Sequence, residues 1–85
     1  MERYVIESPH TKEECLKALD ETMAEGASIL NKFDWGCQVG DHTGYAVVDV
    51  DNELEARNMI PRFIRNKARV AKIGKFTPEQ IRSLH

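Results

Sequence analysis

"FDWGCQVGDHTGYAVVDV", Phe33 to Val50, decides the fold. Phe33, Trp35 and Cys37 alternate with Lys32, Asp34 and Gln38, the period of two of an extended strand running from about Ile29 to Gln38. Val39, Gly40 and Asp41 are turn chemistry. From His42 to Val50 the alternation resumes, with Ala46, Val48 and Val50 on one face and Thr43, Tyr45, Val47 and Asp49 on the other. The stretch therefore predicts a β-hairpin with "VGD" at its tip. Gly44 has no side chain, which permits a close approach of backbone or of the Trp35 ring.

Upstream, "RYVIES" at 3–8 alternates around Tyr4 and Ile6 and predicts a first strand, ended by Ser8-Pro9-His10. "TKEE" from Thr11 is a capping box opening a helix, with Leu16, Leu19 and Met23 on one stripe, Cys15 beside it and Gly26 as the stop. Downstream, "NELE" from Asn52 opens a second helix whose buried stripe is Ala56, Met59, Ile60 and Phe63. Pro61 lacks a backbone donor and predicts a kink or a change of segment between Arg57 and Pro61. "RVAKIGKF" at 69–76 predicts a fourth strand, and "TPEQ" from Thr77 caps a short final helix. Ile81 and Leu84 of that helix are too few to stabilise it alone, so it must dock on something.

The order β-α-β-β-α-β is the split βαβ of α+β, ferredoxin-like folds, a four-stranded antiparallel sheet over residues 1–76 with 77–85 as a helical arm of the same domain. In the usual 4-1-3-2 strand order, the first and third strands are central. One sheet face then carries Arg3, Val5, Glu7, Tyr45, Val47 and Asp49, with an apolar strip that invites a second copy of the chain.

Eighty-five residues make one domain. Two cysteines give no disulfide framework, and no charged-then-apolar leader is seen, so a reduced cytoplasmic setting is the expectation. No apolar run reaches the ~20 residues of a membrane span, so no membrane partner is expected. Residues 1–56 hold four Lys/Arg against thirteen Asp/Glu, and residues 57–85 hold eight against one. With a net charge of −2 and no recognition module, this asymmetry reads as neighbouring acidic and basic elements, and no nucleic-acid partner is expected. No glycine-rich phosphate clamp occurs and no cofactor is expected.

The element order, "VIESPHT" leading into an acidic helix, "GYAVVDV" and "MIPRFIRNKARVAKIGKFTPEQI" together resemble the dimeric α+β-barrel superfamily, and within it small proteins related to the muconolactone isomerases. The resemblance covers nearly the whole chain. It implies a homodimer with a ligand cavity between the two sheets, in a superfamily that also contains cofactor-free monooxygenases and metal-binding members.

Three function classes follow. The first is a dimer that binds a small molecule in the cavity, for which Arg3, Trp35, His42, Tyr45 and Asp49 are the ligand-binding candidates. The second is an isomerase or monooxygenase-like enzyme using His42, Tyr45 or Glu7 in proton transfer, because imidazole titrates near neutrality. The third is a metal-binding protein through the 37–42 hairpin, with Cys37, Asp41 and His42 as ligands and His10 and His85 as further donors. Against all three stands a purely structural reading in which Gly40 and Asp41 make the turn while Trp35 and Cys37 share a face that packs against a helix or the partner.

Overall fold

The computed structural model describes every residue from Met1 to His85. In chain order it contains β1 (Glu2–Pro9), α1 (Cys15–Glu25), α2 (Ala27–Leu30), β2 (Asp34–Trp35), β3 (Thr43–Val50), α3 (Glu53–Arg57), β4 (Arg69–Lys72) and α4 (Pro78–Ser83), with 3-10 turns at Cys37–Val39 and Arg62–Lys67. The four strands form one antiparallel sheet in the order β2-β3-β1-β4. No helix is long and apolar enough to cross a membrane.

β1 and β3 are the long central pair, and their register sets Arg3 opposite Asp49, Val5 opposite Val47 and Glu7 opposite Tyr45. Because successive side chains point to opposite faces, Tyr4, Ile6 and Ser8 of β1 and Ala46, Val48 and Val50 of β3 all turn to the helical side, where they are buried. Ile60, Ile64, Ala56, Ala18, Phe33 and Val70 complete that core. The opposite face lies open, with Val47 59% exposed at its centre.

Two of the three expected caps close their helices. The Asn52 side chain accepts from the Glu55 amide, and Thr77 with Gln80 forms a reciprocal capping box behind Pro78. Thr11 and Glu14 exchange the same pair of hydrogen bonds, yet the helix proper starts only at Cys15, so residues 11–14 are a turn leading into it. Pro61 divides α3 from the 3-10 turn that follows, the change of segment expected of a residue without a backbone donor.

Three expectations are corrected. The second strand is two residues long instead of spanning 29–38. Ile29 and Leu30 both donate to the Gly26 carbonyl and close a helical turn, and after Trp35 the chain enters a 3-10 turn whose left-handed Gly40 (φ 86°) aims it back toward β3. Alternation in the sequence could not register this, because the two-residue strand satisfies the pattern only at its centre.

The second correction concerns α1, which buries Ala18 and Thr22 and leaves Leu16 and Met23 exposed. The residues it buries are small, and the Thr22 hydroxyl donates to the Ala18 carbonyl and needs no other partner. The third is β4, which ends at Lys72 instead of reaching Phe76, although the Ile73 amide still donates to the Arg3 carbonyl.

Candidate metal centre

At the end of the sheet where β1 finishes and β3 begins, the ladder continues one pair beyond Pro9 and Thr43: the His10 amide donates to the His42 carbonyl at 2.9 Å. Alternation then turns both imidazoles toward the helical side, following Ser8 and Gly44. Their ring centroids lie 5.8 Å apart, edge to face. The Thr11–Glu14 turn swings the chain round so that α1 opens with Cys15 beside them. The 3-10 turn places Cys37 on the same spot from the other direction. The ligand atoms of His10, Cys15, Cys37 and His42 all lie within 4.8 Å of one another.

Walls close around this cluster. Trp35 lies 6.1 Å from His10 and Phe33 lies 5.5 Å from Trp35, between ring centroids. A Cβ built on Gly44 would come within 2.9 Å of the Trp35 ring, so the missing side chain lets the indole lie flat against β3. His10 is buried, and the other three donors are half-buried.

The polar inventory is unusual here. The buried side-chain nitrogen and oxygen atoms that find no hydrogen-bond partner in this chain are Ser8 Oγ, His10 Nδ1, Trp35 Nε1 and His42 Nδ1, and all four belong to residues at this end of the sheet. Each such atom costs about 1–3 kcal/mol. Burial pushes the Cys37 thiol up to about 11, with the neighbouring Cys15 thiol as the second cause. Burial likewise pulls His10 below its ordinary 6.5, with the nearby Ser8 backbone acting in the opposite direction. Near neutral pH the two therefore stand uncharged.

Two soft sulfurs and two imidazoles form the donor set of structural zinc sites. Tetrahedral zinc, with bonds of about 2.3 Å to sulfur and about 2.0–2.1 Å to nitrogen, sets neighbouring donors about 3.3–3.8 Å apart. The contact between Cys37 Sγ and His10 Nε2 is already 3.4 Å. The widest separation in the cluster, 4.8 Å, exceeds the filled geometry by roughly one ångström.

Of the residues read as candidates in the sequence, Cys37 and His42 meet in this cluster, together with His10. Asp41 does not: its carboxylate accepts from the Tyr45 hydroxyl at 2.5 Å, which holds Asp41 below the usual carboxylate range and raises Tyr45. His85 lies at the exposed end of the chain beyond α4. Trp35 and His42 belong to the helical side of the sheet and Tyr45 to the open side. Glu7 is also on the open side and faces Arg69 at 3.6 Å. Arg3 and Asp49 pair at 3.1 Å at the opposite end of β1 and β3, each favouring the charged form of the other. The five ligand-binding candidates are thus spread over two faces and two ends.

A shallow cavity of about 230 Å3 lies on the open face beneath the cluster, lined by Glu7, Pro9, Thr43, Tyr45, Lys67 and Arg69. Its cations are already engaged, Lys67 by Glu14 at 2.6 Å and Arg69 by Glu7.

Cys15 is the donor that sequence reasoning missed. A signal existed: His10 and Cys15 stand five apart, Cys37 and His42 stand five apart, and the second pair runs in the reverse order of the first. Comparison with protein-family models, curated proteins and solved structures returned no match for this chain.

Proposed function

We propose that this chain is a metal-binding α+β protein in which His10, Cys15, Cys37 and His42 hold one zinc ion as a structural centre. One observation carries the reading: four donors from four separate pieces of backbone converge within 4.8 Å. Four protein ligands close a tetrahedral shell and leave no position for a substrate, so the ion's work is to hold the fold. It would join the start of α1 and the 3-10 turn to the central strands, replacing the contacts that so short a β2 cannot make.

Stoichiometry by native mass spectrometry and elemental analysis tests this. One zinc per chain is expected, lost in Cys37→Ser and in His10→Ala. Cobalt substitution should give the visible absorption of a tetrahedral thiolate site. A reduced, folded chain that takes up neither metal sinks the proposal.

A second reading concerns assembly, and the C-terminal segment favours it. α4 buries none of its residues, and Phe76, Ile81 and Leu84 are all exposed. A helix of six residues is marginal by itself. The radius of gyration is 14.9 Å, against about 12 Å for a compact chain of this length. The proposal is a ferredoxin-like fold, supported by the strand order read from its other edge as β4-β1-β3-β2. In this proposal the chain pairs with a second copy through the open face around Val5, Tyr45 and Val47, with the tail clasping the partner. The enclosed space would offer Arg3, Glu7, Tyr45 and Asp49 to a small molecule. Sedimentation across concentration tests the pairing, and a monomer at every concentration ends it.

A further inference from the structure

We propose that Cys15 and Cys37 are a redox pair whose oxidation to an intramolecular disulfide expels the ion from the cluster. The inference rests on the zinc reading above and adds its regulation.

Both cysteines are free thiols, half-buried and therefore within reach of a small oxidant. They come from two different elements, neither of them a strand of the central pair. Cys15 is the first residue of α1, a helix with only Ala18 and Thr22 fully buried. Cys37 opens a 3-10 turn bounded by Gly36 and Gly40. Their sulfurs lie within 4.8 Å, so closing to a disulfide bond of about 2.05 Å requires a shift of under about 3 Å. Cys15 and Cys37 both lie outside the β1–β3 ladder, whose register sets the two histidines side by side.

Coordination makes the chemistry selective. A bound cation keeps both sulfurs as thiolates near neutral pH, and the thiolate is the nucleophile. One thiolate attacks hydrogen peroxide. The O–O bond breaks, hydroxide leaves and takes a proton to become water, and the sulfur becomes a sulfenic acid. The second thiolate attacks that sulfur, the S–O bond breaks, and the departing hydroxide takes a second proton. Two thiolates have lost two electrons, peroxide has gained them, and two waters are formed. Zinc changes no oxidation state. The disulfide leaves His10 and His42 as the remaining donors, two where the site needs four, so the ion departs. A dithiol reductant attacks the disulfide, leaves as its own cyclic disulfide and returns both cysteines to thiols.

The test uses the full chain, loaded with zinc under reduction and then freed of reductant. It is titrated with hydrogen peroxide while a chromogenic chelator reads free zinc. The expected result is one zinc released per peroxide consumed and an intact mass lower by two hydrogens than the reduced metal-free chain. A non-reducing peptide map should join Cys15 to Cys37, and dithiothreitol should restore zinc uptake. Zinc retained under excess peroxide overturns the proposal. So does release accompanied by oxygen-adduct masses or disulfide-linked dimers in place of the internal link. A chain that takes up no zinc before peroxide is added overturns the metal reading itself and this inference with it, so the two failures appear at different steps.

Discussion

The end of the sheet at His10 and His42 and the C-terminal tail are incomplete in opposite ways. The first has one donor buried and three half-buried, with partnerless polar atoms concentrated around it. The second has no buried residue and several bare apolar ones. Imidazole and sulfur donors gathered in a core can be completed by one small cation that takes up their lone pairs. Apolar incompleteness on a surface is relieved only by another surface. One chain therefore points to two different kinds of completion.

The strongest way to break this comparison is to withhold the proposed zinc. With free zinc at about a hundred times the dissociation constant, binding adds about 2.7 kcal/mol to stability. In a domain of this size that corresponds to a fall of roughly 10–20 °C in Tm when a chelator is added. Thermal unfolding with and without chelator measures it, and Cys37→Ser should make the two curves coincide. A Tm indifferent to chelator would remove the contrast between the two ends.

Gly44→Ala should come next. The new methyl would press on the Trp35 ring from 2.9 Å, displacing the wall beside His10 at a cost of about 1–3 kcal/mol. Denaturant unfolding reads the cost, and a zinc-competition titration should show weaker binding in the same variant. Unaltered stability would mean that the indole moves away freely.

Removal of residues 77–85 should weaken the proposed dimer while changing the protomer's own stability by no more than about 0.5 kcal/mol, since nothing in that segment is buried. Analytical ultracentrifugation and denaturant melts separate the two effects. A large loss of protomer stability would show that the tail packs on its own chain.

The smallest effect concerns acid. Lys67, donating to the Glu14 carboxylate, and the Thr11 amide together hold Glu14 at about 2, against an ordinary 4.5. A depressed carboxyl stabilises the fold fully above its unfolded value, and that contribution fades as pH falls from 4.5 toward about 2. Acid unfolding of the metal-free protein should therefore be less steep in Glu14→Gln over that window. Superimposable curves would show that the Glu14 contacts contribute nothing to the turn before Cys15.

Much of the architecture was legible because its causes are local. Alternation around Tyr4 and Ile6 and from Thr43 to Val50 identifies the two central strands. The caps at Asn52 and Thr77 mark where helices open, Thr11 marks the turn that leads into α1, and Pro61 marks a break. The same locality explains the misreadings. Leu16 and Met23 look like the inner stripe of α1, but the face that the fold buries carries Ala18 and Thr22 instead, and which face turns inward is set by the helix's place in the whole fold. Ile29 to Gln38 alternates like a strand, but only Asp34 and Trp35 find partners on β3.

The candidate site divides along the same line. Cys37 and His42 were visible as a pair because one turn carries both, and His10 was visible only as an unplaced donor. Cys15 read as a helix residue beside an apolar stripe. Composition and short-range pattern determine by themselves that this chain is α+β, where its central strands lie and which residues have metal-binding chemistry. The antiparallel register of β1 and β3 decides the rest. It sets His10 beside His42 across thirty-odd residues of sequence, and the α1 start and the 3-10 turn then bring one sulfur each. Convergence of four donors is a property of distance in space, and distance in space is created by strand pairing, which no single segment of the sequence contains.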